Sequence, residues 1–101
     1  MLDNYDISIL KEFYKLKESK ETTTWEIMKR IHENGWNREH IRLKSRVKKM
    51  AEYGLFFVNG DKRRTYTLIL DNVVFKRFNF PDKTCNAVCL KINGKWEIYE
   101  F

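Results

Sequence analysis

The sequence predicts an α+β fold, three helices followed by antiparallel hairpins, on three observations. Apolar residues recur with a period near 3.6 through the first half. Two Asn-Gly pairs, Asn59-Gly60 and Asn93-Gly94, stand between β-branched and aromatic runs in the second half. Residues 38–77, at the centre of the chain, carry a concentrated block of positive charge. The 101 residues suffice for one hydrophobic core and not two. With 43% hydrophobic and 15% aromatic residues, the chain is expected to fold rather than stay disordered.

In the first helix, Asp6 to about Lys17, Ile9, Leu10, Phe13 and Leu16 form an apolar stripe, with Asn4 or Asp6 as cap. Glu18 to Glu21 make a polar exit. The second helix opens on a capping box, Thr23 with Glu26, in which each side chain satisfies a free amide. Ile27, Met28 and Ile31 supply its buried stripe, and Asn34-Gly35 ends it. The third helix is capped by Asn37, runs to about Tyr53 and stops at Gly54. Leu43, Val47, Met50 and Ala51 fall on its inward face. Arg38, Ile41, Arg42, Ser45, Lys48, Lys49 and Glu52 fall on the opposite one.

Leu55 to Val58 and Thr65 to Leu70 read as a hairpin turning at Asn59-Gly60-Asp61, with Lys62, Arg63 and Arg64 at its tip. Val73 to Phe80 reads as a strand, although VVFKRF lacks clean alternation and a helix stays open there. Cys85 to Ile92 and Lys95 to Phe101 form a second hairpin around Asn93-Gly94. In its first strand Val88, Leu90 and Ile92 alternate with Ala87, Cys89 and Lys91, a half-buried pattern.

The net charge of +6 is unevenly spread. Residues 1–37 carry six Lys/Arg against seven Asp/Glu, residues 38–77 eleven against four, and residues 78–101 three against three. The excess therefore sits in one forty-residue stretch, the footprint expected for a polyanionic partner.

Helix, short helix, turn, basic helix and basic-tipped hairpin follow one another in the order of a winged helix-turn-helix domain. The run Leu43-Lys44-Ser45-Arg46-Val47-Lys48-Lys49-Met50-Ala51-Glu52-Tyr53-Gly54-Leu55 resembles the end of the recognition helix in archaeal Lrp/AsnC-like and MarR-like regulators. Thr23-Thr24-Trp25-Glu26-Ile27 resembles the opening of their second helix. The resemblance implies a DNA-binding winged domain over residues 1–70, with 71–101 as a β-strand extension packed on it. That extension resembles neither the ligand-sensing domain of Lrp/AsnC proteins nor the long terminal helix of MarR dimers, so no effector follows from it.

The expected function is sequence-specific binding of double-stranded DNA by a transcriptional regulator that occupies a promoter. Asn37, Arg38, Ile41, Arg42 and Ser45 are the candidates for approach to base edges, the two arginines for guanine. Ile41 suits either a thymine methyl or packing against the turn or second helix. Lys44, Lys48 and Lys49 are the phosphate candidates on the helix, and Lys62, Arg63 and Arg64 those on the hairpin. A solvated helix face, and a hairpin tip charged against edge pairing, are the plainer readings of these lysines and arginines. Trp25, Trp36 and the Phe and Tyr residues are expected mainly in the core and on sheet faces. Val73 to Phe80, with Phe75, Lys76, Arg77 and Phe78, half fits a stacking surface for single strands, core packing being the stronger reading there.

Cys85 and Cys89 share a strand face about 13 Å apart, too far for a disulfide or a shared metal. With only His32 and His40 besides, no metal and no cofactor are expected. No phosphate-binding loop, nucleophile elbow or HExxH motif offers a foothold for catalysis. No apolar run reaches the roughly 18 residues of a membrane span, and MLDNYD lacks signal-peptide order, so a cytoplasmic protein without membrane contact is expected. A homodimer is expected, joined through the terminal strands ending WEIYEF or through the first helix. Two alternatives are a protein–protein winged-helix module of transcription or replication machinery, and a plasmid or viral replication-origin binder.

Overall fold

The structure, a computed structural model, describes residues 2–16, 23–33, 40–62 and 64–101, without the side chains of residues 32, 33 and 40. Helix α1 (Asn4–Lys15) is capped by Asp3. The Asp6 amide donates to the Asp3 carboxylate at 3.0 Å, and the Asp3 amide donates to the Asp6 carboxylate at 2.9 Å. This reciprocal box starts the helix ahead of the expected cap at Asn4 or Asp6, because Asp6 is needed inside the first turn as the returning acceptor. In α2 (Thr24–Glu33) the Glu26 amide donates to the Thr23 hydroxyl at 3.2 Å, as a cap at Thr23 requires. Helix α3 (His40–Glu52) buries Leu43, Val47 and Met50 completely. It ends at Gly54, whose φ is +92°. There the Gly54 amide donates to the Ala51 carbonyl and the Leu55 amide to the Met50 carbonyl, both at 3.0 Å, the paired bonds of a Schellman ending. The expected cap Asn37 and exit Asn34-Gly35 lie outside the described residues.

Strands β1 (Phe56–Asn59) and β2 (Thr65–Leu68) form an antiparallel pair with Phe56 opposite Leu68. Asn59 is still paired, opposite Thr65, so Asn59-Gly60 is not a two-residue turn and residues 60–64 make the connection. A single 3-10 turn (Leu70–Asn72) follows, and the Asn72 side-chain amide donates to the Gly54 carbonyl at 2.8 Å. Residues 73–79 are strand, which settles the choice left open there. The second sheet has the order β3 (Val73–Asn79), β4 (Thr84–Ile92), β5 (Lys95–Glu100). Here Asn-Gly does make the tight turn. Asn93 and Gly94 have φ of +51° and +82°, and Ile92 pairs with Lys95.

One core joins the helices to both sheets. It gathers Ile9, Leu10 and Phe13 of α1, Ile27 of α2, Leu43 and Val47 of α3, Phe56 of β1, and Val88 and Leu90 of β4. The Phe13 ring meets Phe56 edge-on at 4.6 Å, and Tyr14 packs on Phe75 at 4.7 Å. The second sheet is fastened further by the Asn93 amide, which donates to the Tyr53 carbonyl at 3.0 Å. Three helices, a two-stranded wing (β1–β2) and a three-stranded extension make up a winged helix-turn-helix architecture. Among the described residues no helix is long and apolar enough to cross a membrane.

Not every aromatic is in this core. Trp25 and Phe78 are 51% and 39% exposed and so lie outside the core: Trp25 borders the space between α2, α3 and the wing, and Phe78 lies on the sheet face turned away from the helices. Only Phe75 of the β3 aromatics turns inward, beside Tyr14.

Candidate nucleic-acid interface

The apolar positions 43, 47 and 50 pin α3 to the core, and the 100° step per residue then dictates where the other side chains go. Ile41, Arg42, Lys44, Ser45, Lys48 and Lys49 are all exposed. Ile41 is 85% exposed, so it does not pack against the described residues of α2. Arg38 and Asn37, from the same set of base-reading candidates, lie outside the described residues, as does the phosphate candidate Arg63.

The outward residues divide into two groups. Lys44, Ser45 and Lys48 face the wing. Together with Thr23, Thr24 and Trp25 of the α2 start and with Asp61, Lys62, Arg64 and Tyr66 of the hairpin, they line an open cleft of about 810 Å³. Among the described residues, four cations and one carboxylate thus line this cleft, beside the neutral Thr23, Thr24, Trp25, Ser45 and Tyr66. Lys48 and Arg64 also bound a smaller hollow of about 440 Å³ that continues toward Glu52. Glu52, on the same side at the C-terminal end of α3, limits the cationic surface.

Arg42 turns the other way, toward Tyr5 of α1, and Lys49 borders a separate hollow with Leu2, Asp3 and Asp6 at the start of α1. The Arg42 guanidinium stands 5.7 Å from the centre of the Tyr5 ring, and the Lys49 ammonium 5.9 Å from that of Tyr53. These two predicted contacts are therefore displaced from the cleft to its far flank, across the ridge formed by Ile41 and Ser45.

Arg46, absent from the candidates, determines how α3 is held. Its guanidinium lies 2.7 Å from the Asp3 carboxylate and 3.0 Å from that of Asp6, whose side chain is 2% exposed. The α1 capping box is thereby also the anchor of α3, forty residues away. Arg46 holds the Asp3 carboxyl below its ordinary range by hydrogen bonding, whereas burial pushes Asp6 up. One Asp6 oxygen, Oδ1, is buried without a hydrogen-bond partner, which makes the positive charge of Arg46 its main compensation. A sequence signal existed: Arg46 falls at the seam between the apolar and basic faces, where a charged side chain needs a partner.

The terminal cysteines, Cys85 and Cys89, are half-buried and unbridged. Among the described residues no group of three or more His, Cys, Asp or Glu is placed to hold a metal ion. In comparisons with protein-family models, curated proteins and solved structures, nothing matches the chain.

Proposed function

We propose that the chain binds double-stranded DNA in a sequence-dependent manner and regulates transcription by occupying a promoter. The observation that carries this reading is the shared cleft, which joins Lys44, Ser45 and Lys48 of α3 to Lys62 and Arg64 of the wing. An exposed helix fits the major groove, where base edges present a pattern that side chains can read. Laid there, α3 directs Ile41 and Ser45 toward the groove floor, with Arg42 on one wall. Ile41 suits a thymine methyl, since an 85% exposed isoleucine among polar neighbours has little to gain from water. Arg42, and on sequence grounds Arg38 and Asn37, supply hydrogen bonds to base edges.

Lys44, Lys48, Lys62 and Arg64 then meet the phosphates along the wing side, and Lys49 the strand on the far flank. Because the Asp3–Arg46–Asp6 cluster fixes the helix from behind, these side chains are presented on a rigid element. We read the protein as a homodimer whose two α3 helices occupy half-sites about 34 Å apart.

Selection of bound fragments from a random duplex pool tests the reading. A recurrent motif whose enrichment is eroded by Arg42→Ala is expected. Recovery of fragments without common sequence would contradict sequence-dependent binding.

A further inference from the structure

The extension sheet has one face with no counterpart in the proposed DNA contact. Successive residues of a strand point to opposite faces, so Phe75, Val88 and Tyr99 turn toward the helices while their neighbours turn away. On the outward face Ile98 is 67% and Trp96 53% exposed. With Val74, Lys76 and Cys89 they border a shallow hollow of about 320 Å³. Contiguous exposed apolar surface of this kind marks a contact site.

The register of the sheet says what kind of partner fits. Val74, Cys89 and Ile98 form one row across the three strands, and Lys76, Ala87 and Glu100 form the next. The first row is apolar throughout. The second has a cation on the β3 edge, an anion on the β5 edge and a small residue between. Neither Lys76 nor Glu100 makes an ion pair with another described residue.

Now place two such faces together about a two-fold axis that runs along β4, midway between the sheets. The axis brings β3 of each copy over β5 of the other, at the same height along the strands. Val74 then opposes Ile98, and Lys76 opposes Glu100, each pair twice. A basic or acidic partner would match only one edge. A row whose charges are opposite on either side of its centre matches itself. Lys91, the other charged residue of this face, stands at the turn end of β4 on the rim, where the usual crossing of packed sheets by about 30° separates the copies.

We propose that the outward face of the β3–β4–β5 sheet is the surface on which a second copy of the chain docks, joined by paired Lys76–Glu100 contacts around an apolar centre. This supplies the pairing that the two-half-site reading requires, and it rests on that reading only for what the pair is used for.

Sedimentation equilibrium of the DNA-free chain, from micromolar to submillimolar concentration, is expected to show a monomer–dimer equilibrium. Lys76→Glu alone or Glu100→Lys alone sets like charges opposite each other twice and is expected to weaken pairing by about tenfold or more. The combined exchange K76E/E100K restores it. Ile98→Lys, at a site exposed in the monomer, abolishes it, with an unchanged circular dichroism spectrum as the control for folding. A bis-maleimide spanning about 8 Å joins Cys89 to its counterpart, because packed sheets lie about 10 Å apart. A chain that stays monomeric, or a dimer indifferent to both the charge reversals and Ile98→Lys, overturns the proposal. DNA binding by charge-reversed monomers would leave the DNA reading standing. A wild-type dimer without DNA affinity would remove that reading and leave the pairing intact.

Discussion

The cleft beside α3 and the outer face of the β3–β4–β5 sheet are both open to solvent, yet they are made differently. The cleft carries Lys44, Lys48, Lys62 and Arg64, against Asp61 as the one carboxylate among its described lining residues. The sheet face carries Trp96 and Ile98, with one cation and one anion facing each other across Ala87. An uncompensated set of cations keeps its hydration until a polyanion releases counterions, so its interactions depend steeply on salt. Apolar surface is driven together by water and depends on salt weakly. Raising the ionic strength should therefore strip the chain from DNA long before it separates the two copies.

The largest expected effect comes from removing the cations of the cleft. The combined substitution Lys44→Gln, Lys48→Gln, Lys62→Gln and Arg64→Gln is expected to lower duplex affinity by about a hundredfold or more at low salt. Fluorescence anisotropy with a labelled duplex measures it, and the dimer constant should not move. Equal losses in both would erase the distinction between the faces.

Next comes Arg46→Ala. It leaves the buried Asp6 carboxylate facing Asp3 without a counter-charge, at a cost of about 2 kcal/mol after allowance for the exposure of Arg46 and Asp3. Urea unfolding checks this, and its pH dependence sharpens it. In the wild type the depressed Asp3 group loses stability as pH falls through its folded value. Burial already raises Asp6 in the wild type, and loss of Arg46, which lowers it, raises it further, so acidification favours the variant more than the wild type and the gap should narrow toward pH 4.

Gly54→Ala is a smaller perturbation. With φ at +92° and nothing within 4 Å of an added Cβ, only backbone strain opposes it, about 1 kcal/mol. Smallest in stability is Ile41→Ala, within about 0.5 kcal/mol of wild type. Its effect should appear instead as a relaxed preference at one base position in the selected motif.

How much of this is written in the sequence depends on the range of the interaction. The local signals are plain: the Thr23 cap, the Gly54 stop, the Asn93-Gly94 turn and the apolar period of α3 each involve residues a few positions apart. Asn59-Gly60 carries the same turn signal as Asn93-Gly94 but lies within a longer connection, because strand pairing decided that Asn59 stays opposite Thr65. For the candidate site, the charge run and the helical period bring out Lys44, Ser45, Lys48, Lys62 and Arg64. They do not reveal that Arg42 and Lys49 lean toward α1, since a rotation of the helix by a fraction of a turn is set by core packing. Nor is the Arg46 anchor periodic, as its partners Asp3 and Asp6 are about forty residues away. Trp25 is absent from the core for a related reason: whether an aromatic on a short helix is covered depends on which elements return to it.

The central claim, that the cleft cations act together on a duplex backbone, is tested most directly by the salt dependence of duplex binding. With five phosphate contacts per protomer, from Lys44, Lys48, Lys49, Lys62 and Arg64, the logarithm of the binding constant should fall against log salt with a slope of about −4 to −5 for each protomer bound. The four-fold Gln variant, which keeps Lys49, should give a slope of only about −1 for each protomer bound. A wild-type slope near zero, or one unchanged in that variant, would contradict the account.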